Sequence, residues 1–153
     1  METKGPLVAW YGDDFTGAAA TMEVLSFAGL PSMLFLNPPT DEQLERFPHL
    51  KGIGVASTAR AEGPDWMRAE LPGIFARLAE LKPGLLHYKV CSTLESSPEI
   101  GSIGCAIEIG ADLTGARVVP VVIAAPQMRR YQVFGQLFAA HGETVHRLDR
   151  HPV

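Results

Sequence analysis

Cysteine is scarce in this sequence, since only Cys91 and Cys105 occur and neither belongs to a C-x-x-C pair. The sequence therefore indicates neither a disulfide framework nor a zinc site. Long apolar runs are missing as well, because none approaches the roughly 20 residues that span a bilayer. The opening "METKGPLVAW" also lacks a signal-peptide pattern. We therefore expect a cytoplasmic protein that does not enter the membrane.

Basic residues are in the minority, with 13 Lys and Arg against 17 Asp and Glu, which gives a formal net charge of -4. No stripe of Lys and Arg supplies the positive field that a phosphate backbone needs, so nucleic acid is not an expected partner. The phosphate-binding patterns GxxxxGK[ST] and GxGxxG are also missing. The chain therefore has no recognisable nucleotide-phosphate loop of its own.

What the sequence does contain is enough apolar material for one globular domain. Of its 153 residues, 46% are hydrophobic and 20% are charged, which excludes a disordered chain. A chain of this length buries roughly 68–70% of its unfolded surface. We therefore expect a single domain over residues 1–153.

Short apolar runs that fit strands alternate with helical patterns along the whole chain. Strands are predicted over 6–12, 31–37, 51–57, 84–90, 116–126 and 143–149, and helices over 16–29, 40–47, 63–81, 101–113 and 128–142. Thr40 is the expected N-cap of the second helix, and Pro72 should kink or divide the third. Several strands are apolar on both faces, which predicts a three-layer α/β fold with a mostly parallel sheet of about six strands and helices on both faces.

Polar residues gather where the predicted strands end, and this is the edge of a parallel sheet where ligands bind. The residues at these strand ends are Asp13, Asp14, Asn37, Ser57, Thr58, Arg60, Lys89, Cys91, Ser92, Thr93, Gln127, Arg129 and Arg130. The sequence therefore predicts a polar site at the carboxyl edge of the sheet.

The stretch "GDDFTG" places Asp13 and Asp14 between the first strand and the first helix. Carboxylates at this point can accept hydrogen bonds from substrate hydroxyls, orient a cation or fix a basic residue. Thr16 and Gly17 would present backbone N–H groups at the helix N-terminus, where a carboxylate or phosphate binds. The alternative is that one Asp only caps the helix.

Two later stretches offer further candidates. "YKVCSTLESSPEIGSIG" brings Lys89, Ser92 and Thr93 before a glycine-flanked helix start, which suits an anionic, hydroxylated ligand. An ordinary solvated turn is the alternative there. "AAPQMRRY" adds Arg129 and Arg130, whose planar guanidinium groups match a carboxylate or phosphate, with a solvated arginine pair as the alternative.

Together and in this order, the stretches "GDDFTGA", "KVCSTLESSPEIGSIG" and "APQMRRY" resemble the N-terminal domain of the four-carbon acid sugar kinases, across nearly the whole chain. The resemblance implies an α/β domain that holds a sugar acid such as erythronate, threonate, 3-oxo-tetronate or a related branched 3-oxo acid. It also implies a separate C-terminal domain, absent from residues 1–153, that binds ATP with Mg. Phosphoryl transfer would then take place in the cleft between the two domains.

The resemblance and the strand-end chemistry lead to one set of substrate-binding residues. A sugar acid needs donors for its carboxylate and acceptors for its hydroxyls, and strand ends supply both. The expected set is Asp13, Asp14, Thr16, Gly17, Arg60, Lys89, Ser92, Thr93, Arg129 and Arg130. We assign no catalytic residue and expect no metal ligand in this domain.

Two places depart from the family pattern. Ala20 stands where the family usually has an acidic residue, as in "DDFTGxxD", and Leu94 and Glu95 change the usual "CSTFDS" to "CSTLES". The missing carboxylate removes an acceptor for a substrate hydroxyl, and this motivates the alternative of a catalytically degenerate binding or regulatory module. A small hydrolase that uses Asp13 or Cys91 is a third alternative, but no motif positions a base for it.

The end of the chain and the edge of the sheet bear on partners. The tail "DRHPV" stops without a closing helix or strand, as if the chain were cut there, so we expect the polypeptide to continue beyond Val153. The apolar strands leave a sheet edge that favours self-association or docking of the C-terminal domain. The expected partners are therefore a sugar acid, the nucleotide domain and a second copy.

Overall fold

The fold consists of a parallel sheet with helices and a smaller antiparallel sheet, as seen in a computed structural model that describes residues 5–153. The parallel strands are β1 (Val8–Gly12), β2 (Ser32–Phe35), β3 (Gly52–Ala56) and β4 (Leu85–Lys89). The helices are α1 (Phe15–Phe27), α2 (Asp41–Glu45), α3 (Pro64–Glu80) and α4 (Ile103–Thr114). The antiparallel strands are β5 (Arg130–Val133), β6 (Gln136–His141) and β7 (Thr144–Arg147), and short 3₁₀ helices cover Ala59–Ala61, Pro126–Met128 and Leu148–Arg150.

The parallel sheet has the strand order β2-β3-β1-β4, with β1 in the middle. Along β1, Tyr11 pairs with Val55 of β3 and with Tyr88 of β4, so the carboxyl ends of the three strands meet at one edge. Helix α1 contacts all four strands, while α3 packs against β1 and α4. The expected α/β class is therefore confirmed, with helices on both faces of a mostly parallel sheet.

The main hydrophobic core lies between the sheet and the pair α3 and α4. Its buried side chains are Ala9, Tyr11, Ile53, Val55, Ala59, Met67, Leu71, Phe75, Leu78, Cys105, Ala106 and Ile109. Burial of a side chain such as Leu71 stabilises the fold by about 1.5–3 kcal/mol. This layer gives the strand ends above it a rigid base.

On the other face of the sheet, small residues allow α1 to approach β1 closely. A side chain at Gly12 would overlap Ala18, and one at Gly54 would overlap the ring of Trp10. The Trp10 indole Nε1 donates a hydrogen bond of 3.2 Å to the Ala18 carbonyl. The run of small residues at the start of α1 is therefore a requirement of packing.

Most predicted elements before residue 115 are confirmed with shorter bounds. Thr40 caps α2 as expected, in a capping box with Gln43. The division expected at Pro72 is absent, because α3 runs as one helix from Pro64 to Glu80 with Pro72 inside it. The seventeen residues of this helix bury four apolar side chains, which compensates for the hydrogen bond lost at the proline.

After residue 115 two predicted elements are wrong. The helix predicted over 128–142 is the hairpin of β5 and β6, whose two-residue turn is Phe134 and Gly135. Both turn residues have positive φ, 50° and 72°, as a type I′ hairpin turn requires. The strand predicted over 116–126 does not form among the described residues, and the parallel sheet has four strands there where the sequence predicts about six. The strand predicted over 143–149 exists as β7, in the antiparallel sheet.

Within residues 5–153, no helix combines the length and apolar character that a membrane span requires. The predicted absence of a signal peptide involves residues 1–4 among others, and these four lie outside the described residues.

Candidate functional site

The candidate site begins at the carboxyl end of β1, where Asp13 and Asp14 share one arginine. Arg60 Nη2 donates to Asp13 Oδ1 at 2.9 Å and Arg60 Nε donates to Asp13 Oδ2 at 3.4 Å. Arg60 Nη1 lies 3.0 Å from Asp14 Oδ2. A single guanidinium therefore bridges the two adjacent carboxylates.

Backbone hydrogen bonds hold this arrangement in place. The Arg60 N–H donates to the Asp13 carbonyl at 3.0 Å, and the Asp13 N–H donates to the Lys89 carbonyl at 3.1 Å. The Ser57 N–H donates to the Gly12 carbonyl at 3.1 Å. The ends of β1, β3 and β4 are therefore joined at the site, which fixes where the side chains begin.

Asp13 is a buried acid, with only 4% of its surface exposed. Burial raises the pKa of its carboxyl above the usual value, and the hydrogen bonds and charge of Arg60 act in the opposite direction. A buried carboxylate requires a counter-charge and hydrogen-bond donors. Arg60 supplies both, so Asp13 is held in one orientation.

Asp14 has a second task beside the ion pair with Arg60. It is the N-cap of α1, and its Oδ1 accepts a hydrogen bond of 2.7 Å from the Gly17 N–H. The cap alternative raised from the sequence is therefore confirmed for Asp14. It follows that the Gly17 N–H is already occupied and is not free for an anion.

A cavity of about 590 Å³ opens in front of the two aspartates. Its walls come from the ends of β1 and β3 and from the loop before α4: Asp13, Asp14, Phe15, Ser57, Thr58, Arg60, Ala61, Glu95, Ser96, Ser97 and Ile100. Carboxylates, hydroxyls and one guanidinium line it together with a few apolar groups. This volume lies within the usual range of small-molecule sites.

The loop before α4 is tied to the opposite wall of the cavity. Ser97 Oγ accepts hydrogen bonds from the N–H groups of Glu99 and Ile100 at 3.1 and 3.0 Å. Gly101 has φ of 61°, and its N–H donates to the Glu62 carbonyl at 2.9 Å. A side chain at Gly101 would press on the Arg60 carbonyl. Glycine at this position therefore lets the loop close against the segment that carries Arg60.

Tyr11 supports the site from below. Its ring stacks on Tyr88 at 5.5 Å between centroids and meets the edge of Phe75 at 5.6 Å. The hydroxyl is buried and has no hydrogen-bond partner among the described residues. Burial raises the pKa of this hydroxyl to about 12, an effect that Ser57 opposes. Tyr11 therefore stays protonated and acts through packing.

The structure brings only part of the predicted set to the cavity. Asp13, Asp14 and Arg60 line it. Lys89 is not a wall residue: its Nζ donates to the Val90 carbonyl at 2.6 Å and would be 3.3 Å from a side chain placed at Gly17, and its charge acts on Asp13. The structure therefore brings the two aspartates and the arginine of the predicted set together at the cavity.

The other predicted residues lie away from the cavity walls. Thr16 and Ala20 belong to a shallow depression on the outer side of α1, with Phe15, Ala19, Met22 and Glu23. Arg129 has a left-handed backbone and donates from Nη1 to the Gly142 carbonyl at 2.6 Å, and Arg130 begins β5. Ser92 and Thr93 precede the part of the loop that lines the cavity.

Eight of the eleven residues of the cavity wall are not in the predicted substrate-binding set, although two of them, Ser57 and Thr58, are among the expected strand-end residues. The eight are Phe15, Ser57, Thr58, Ala61, Glu95, Ser96, Ser97 and Ile100. Glu95 stands out, because it adds a third carboxylate opposite Asp13 and Asp14. Its proximity to "CST" in a predicted strand-end loop was a usable signal. The apolar Phe15, Ala61 and Ile100 carry no signal of this kind.

The described residues show no arrangement that would hold a metal ion in the cavity. Among residues 5–153, no group of three or more His, Cys, Asp or Glu side chains is arranged to hold a metal. Arg60 already stands between the two aspartates, where a cation would bind. We therefore assign no Mg to this cavity.

Comparison with known proteins shows similarity to sugar-acid enzymes. A family model described as "Sugar-binding N-terminal domain" matches residues 8–153. The protein named 3-oxo-isoapionate kinase from Paraburkholderia graminis is 51% identical over 148 residues, which are 97% of this chain and 32% of that protein. The protein named D-erythronate kinase from Heliobacterium modesticaldum is 32% identical over 126 residues, 82% of this chain and 27% of that protein.

A solved structure has the same fold. It is a domain of unknown function from Bordetella bronchiseptica, crystallised with bound citrate as a domain-swapped dimer. The TM-score is 0.69 at 21% identity, over 88% of this chain and 33% of that chain. In every comparison, this chain spans about a third of the length of the protein that it matches.

Proposed function

The chain belongs to the family of sugar-binding N-terminal domains, and the resemblance to four-carbon acid sugar kinases is confirmed. From this premise, we propose that the chain is the substrate-binding part of an ATP-dependent kinase for a four-carbon or related 3-oxo sugar acid. One observation supports this above all: the similarity to 3-oxo-isoapionate kinase extends over 97% of the chain, the cavity included.

The chemistry of the cavity suits such a ligand. Asp13, Asp14 and Glu95 can accept hydrogen bonds from the hydroxyls of a sugar acid. Arg60 uses three of its five N–H donors on the two aspartates, so two remain for the carboxylate of the ligand. Lys89, whose charge acts on Asp13, adds a second positive charge. The chain would therefore hold the acid by both ends.

The step of phosphoryl transfer is proposed for the whole enzyme. When bound, ATP with Mg would supply the phosphoryl group, and we place both on a separate C-terminal domain. The task of this chain's residues is then to bind and orient the acceptor hydroxyl, which is a large part of catalysis in phosphoryl transfer. We propose that the enzyme works in carbohydrate metabolism in the cytoplasm.

We also propose that the chain binds a second copy of itself. The fold neighbour from Bordetella bronchiseptica is a domain-swapped dimer, and an unpaired strand edge in this chain offers a place for such an exchange. The C-terminal nucleotide domain is the other proposed protein partner. No contact with nucleic acid or with a membrane belongs to this proposal.

A second candidate function is a binding or regulatory module that has lost catalysis. Ala20 motivates it, because the usual acidic residue is missing from α1. The structure places Ala20 in the depression outside the cavity. The two candidates differ in turnover by a complete enzyme and not in the binding of the acid.

The binding proposal is tested by calorimetry on the 153-residue chain. The panel contains erythronate, threonate and a 3-oxo-tetronate, with erythritol as a ligand that has hydroxyls but no carboxylate. We expect the acids to bind and erythritol not to bind, because the free donors of Arg60 need an anionic partner.

Two variants locate the binding in the cavity. Asp13→Asn should weaken binding of the acids by about tenfold or more, because it changes both the hydroxyl acceptor and the partner of Arg60. Glu42→Gln on exposed α2 is the matched control and should leave the affinity unchanged. Absence of binding by every acid, or equal affinity of both variants, would contradict the proposed function.

A further inference from the structure

The outer edge of β4 has hydrogen-bonding groups that no strand uses. The Leu85 N–H donates to the Leu7 carbonyl, and the Lys89 carbonyl accepts from the Asp13 N–H. Leu85 and Lys89 therefore face β1, and residues of a strand alternate in direction. The N–H and C=O groups of Leu86 and Tyr88 must then face the other side, where the described residues contain no further strand.

The segment 118–123, "VVPVVI", has the character of a buried strand but lies exposed. Val118 and Val122 are 79% and 73% exposed, although branched residues of this kind are typical of a strand inside a parallel sheet. The segment follows α4, and α4 follows β4. A strand after such a crossover helix lies parallel to β4, beside it in the sheet.

Only one edge of this segment can make a complete ladder. Pro120 has no N–H, so the edge that it shares with Val118 and Val122 lacks a donor. The edge of Val119, Val121 and Ile123 is intact. Gln132 already binds this edge, because its Nε2 donates to the Val121 carbonyl at 3.0 Å and its Oε1 accepts from the Ile123 N–H at 2.8 Å. Its side-chain amide thus takes the place of a neighbouring strand.

The part of the chain after the segment makes no extensive contact with the strands and helices of the parallel sheet among the described residues. The extensive contacts of β5, β6 and β7 are with one another and with the neighbouring 3₁₀ helices, and none of these contacts involves β1–β4 or α1–α4. A unit connected by one short segment is free to dock on another copy. Exchange of such a unit is a low-cost route to a dimer.

We infer that the segment 118–123 of one chain adds to the outer edge of β4 in a second copy, as a fifth parallel strand. Its Val119, Val121 and Ile123 edge pairs with Leu86 and Tyr88, and Gln132 is displaced. The exchange is reciprocal, so it closes as a dimer. This inference rests on the self-association proposed above and names the surfaces that produce it.

The test measures self-association of the 153-residue chain by sedimentation over a range of concentrations. We expect a concentration-dependent dimer. Val121→Pro removes the N–H of the pairing edge and should weaken the dimer by about tenfold or more. Val122→Pro is the matched control, because it removes an N–H from the opposite edge, and it should leave the dimer intact. Gln132→Ala should strengthen the dimer, because the competitor for the edge is lost.

Amide hydrogen exchange of Leu86 and Tyr88 identifies the copy that supplies the strand. We expect protection of both amides in the dimer and fast exchange in the dilute monomer. Protection in the monomer would mean that the segment pairs within its own chain and would overturn the inference. So would a chain that stays monomeric, or an equal effect of the two proline variants.

The same variants keep this inference separate from the proposed function. The segment contributes no residue to the cavity wall, so Val121→Pro should bind the sugar acids as well as the unmodified chain. Loss of the dimer with intact acid binding leaves the proposed function standing. A dimer without acid binding leaves the strand exchange standing.

Discussion

At the scale of the residue, the main feature of the candidate site is the burial of the Asp13 carboxylate. Its carboxyl is almost out of contact with water and faces a single guanidinium that Asp14 also uses. Removal of a charge from water costs several kcal/mol, and an ion pair compensates this cost only when its geometry is good. We therefore expect the ion pair with Arg60 to offset the cost of burying Asp13 and to add little to the stability of the fold.

The burial of Asp13 makes the stability of the protein depend on pH. Burial holds the pKa of folded Asp13 above its ordinary value of 3.8, so the folded state binds this proton more tightly than the unfolded state. The contribution of Asp13 to the free energy of unfolding is then full below about pH 3.8 and falls as pH rises through the folded-state pKa. Asn at this position cannot titrate.

Urea unfolding of the unmodified chain and of Asp13→Asn at several pH values measures this effect. We expect the variant to gain stability relative to the unmodified chain as pH rises, because the other titrating groups are common to both. A difference that stays constant with pH, or one that changes in the opposite direction, would contradict the prediction.

The sequence predicts the centre of the site better than its walls. Asp13, Asp14 and Arg60 follow β1 and β3, and adjacent parallel strands bring their carboxyl ends together. Glu95 and Ile100 reach the cavity through a loop whose path depends on Gly101 and on hydrogen bonds of Ser97. Secondary-structure propensity and hydrophobic periodicity contain no information about the path of a loop. Glu95 and Ile100 could therefore not be assigned to the cavity from the sequence.

At the scale of the element, α1 begins where Asp14 caps it. The cap satisfies one of the four N–H groups that have no partner at the start of a helix. The same side chain lies in an ion pair with Arg60, with 27% of its surface exposed. An ion pair with this exposure contributes at most about 1 kcal/mol.

Two substitutions separate the cap from the charge. Asp14→Ala should lower the free energy of unfolding by about 1–2 kcal/mol, because cap and ion pair are both lost. Asp14→Ser keeps an oxygen for the Gly17 N–H and should recover most of this loss. Chemical unfolding measures both variants. Equal stabilities of the two would mean that the ion pair and not the cap stabilises this end of α1.

The elements after residue 115 show why sequence patterns failed there. "MRRYQVFGQLFAAHG" has helical periodicity, but Phe134 and Gly135 both adopt positive φ and turn the chain back. Asn-Gly or Asp-Gly is the usual signal for this turn, and Phe gives none. Gln132 adds a tertiary contact, since its side-chain amide forms hydrogen bonds with the backbone of Val121 and Ile123. Local propensity cannot anticipate either feature.

At the scale of the whole molecule, binding and catalysis are expected to lie on different parts of the enzyme. This chain matches 32% of 3-oxo-isoapionate kinase, and among residues 5–153 no cluster of three or more His, Cys, Asp or Glu side chains is arranged to hold a metal ion. A chimera tests the division directly, with this chain in place of the matching 148 residues of the Paraburkholderia graminis protein.

We expect the chimera to phosphorylate 3-oxo-isoapionate with ATP, because the cavity residues come with the chain. Asp13→Asn in the chimera should lower kcat/KM by about tenfold or more, and Glu42→Gln should leave it unchanged. A coupled assay of ADP release measures the rate. A folded chimera that binds the acid but does not turn over would favour the regulatory alternative, with Ala20→Asp as the variant to restore activity.

The close packing of α1 on the sheet has a practical consequence. Trp10 is fully buried, lies over Gly54 and donates its indole N–H to the Ala18 carbonyl of the helix that Asp14 caps. Its fluorescence therefore reports on the distance between α1 and the sheet, a few residues from the cavity. Replacement of Trp66 by Phe leaves Trp10 as the sole tryptophan, since the chain has two. The fluorescence of Trp10 can therefore be used to follow structural changes near the site without an attached dye.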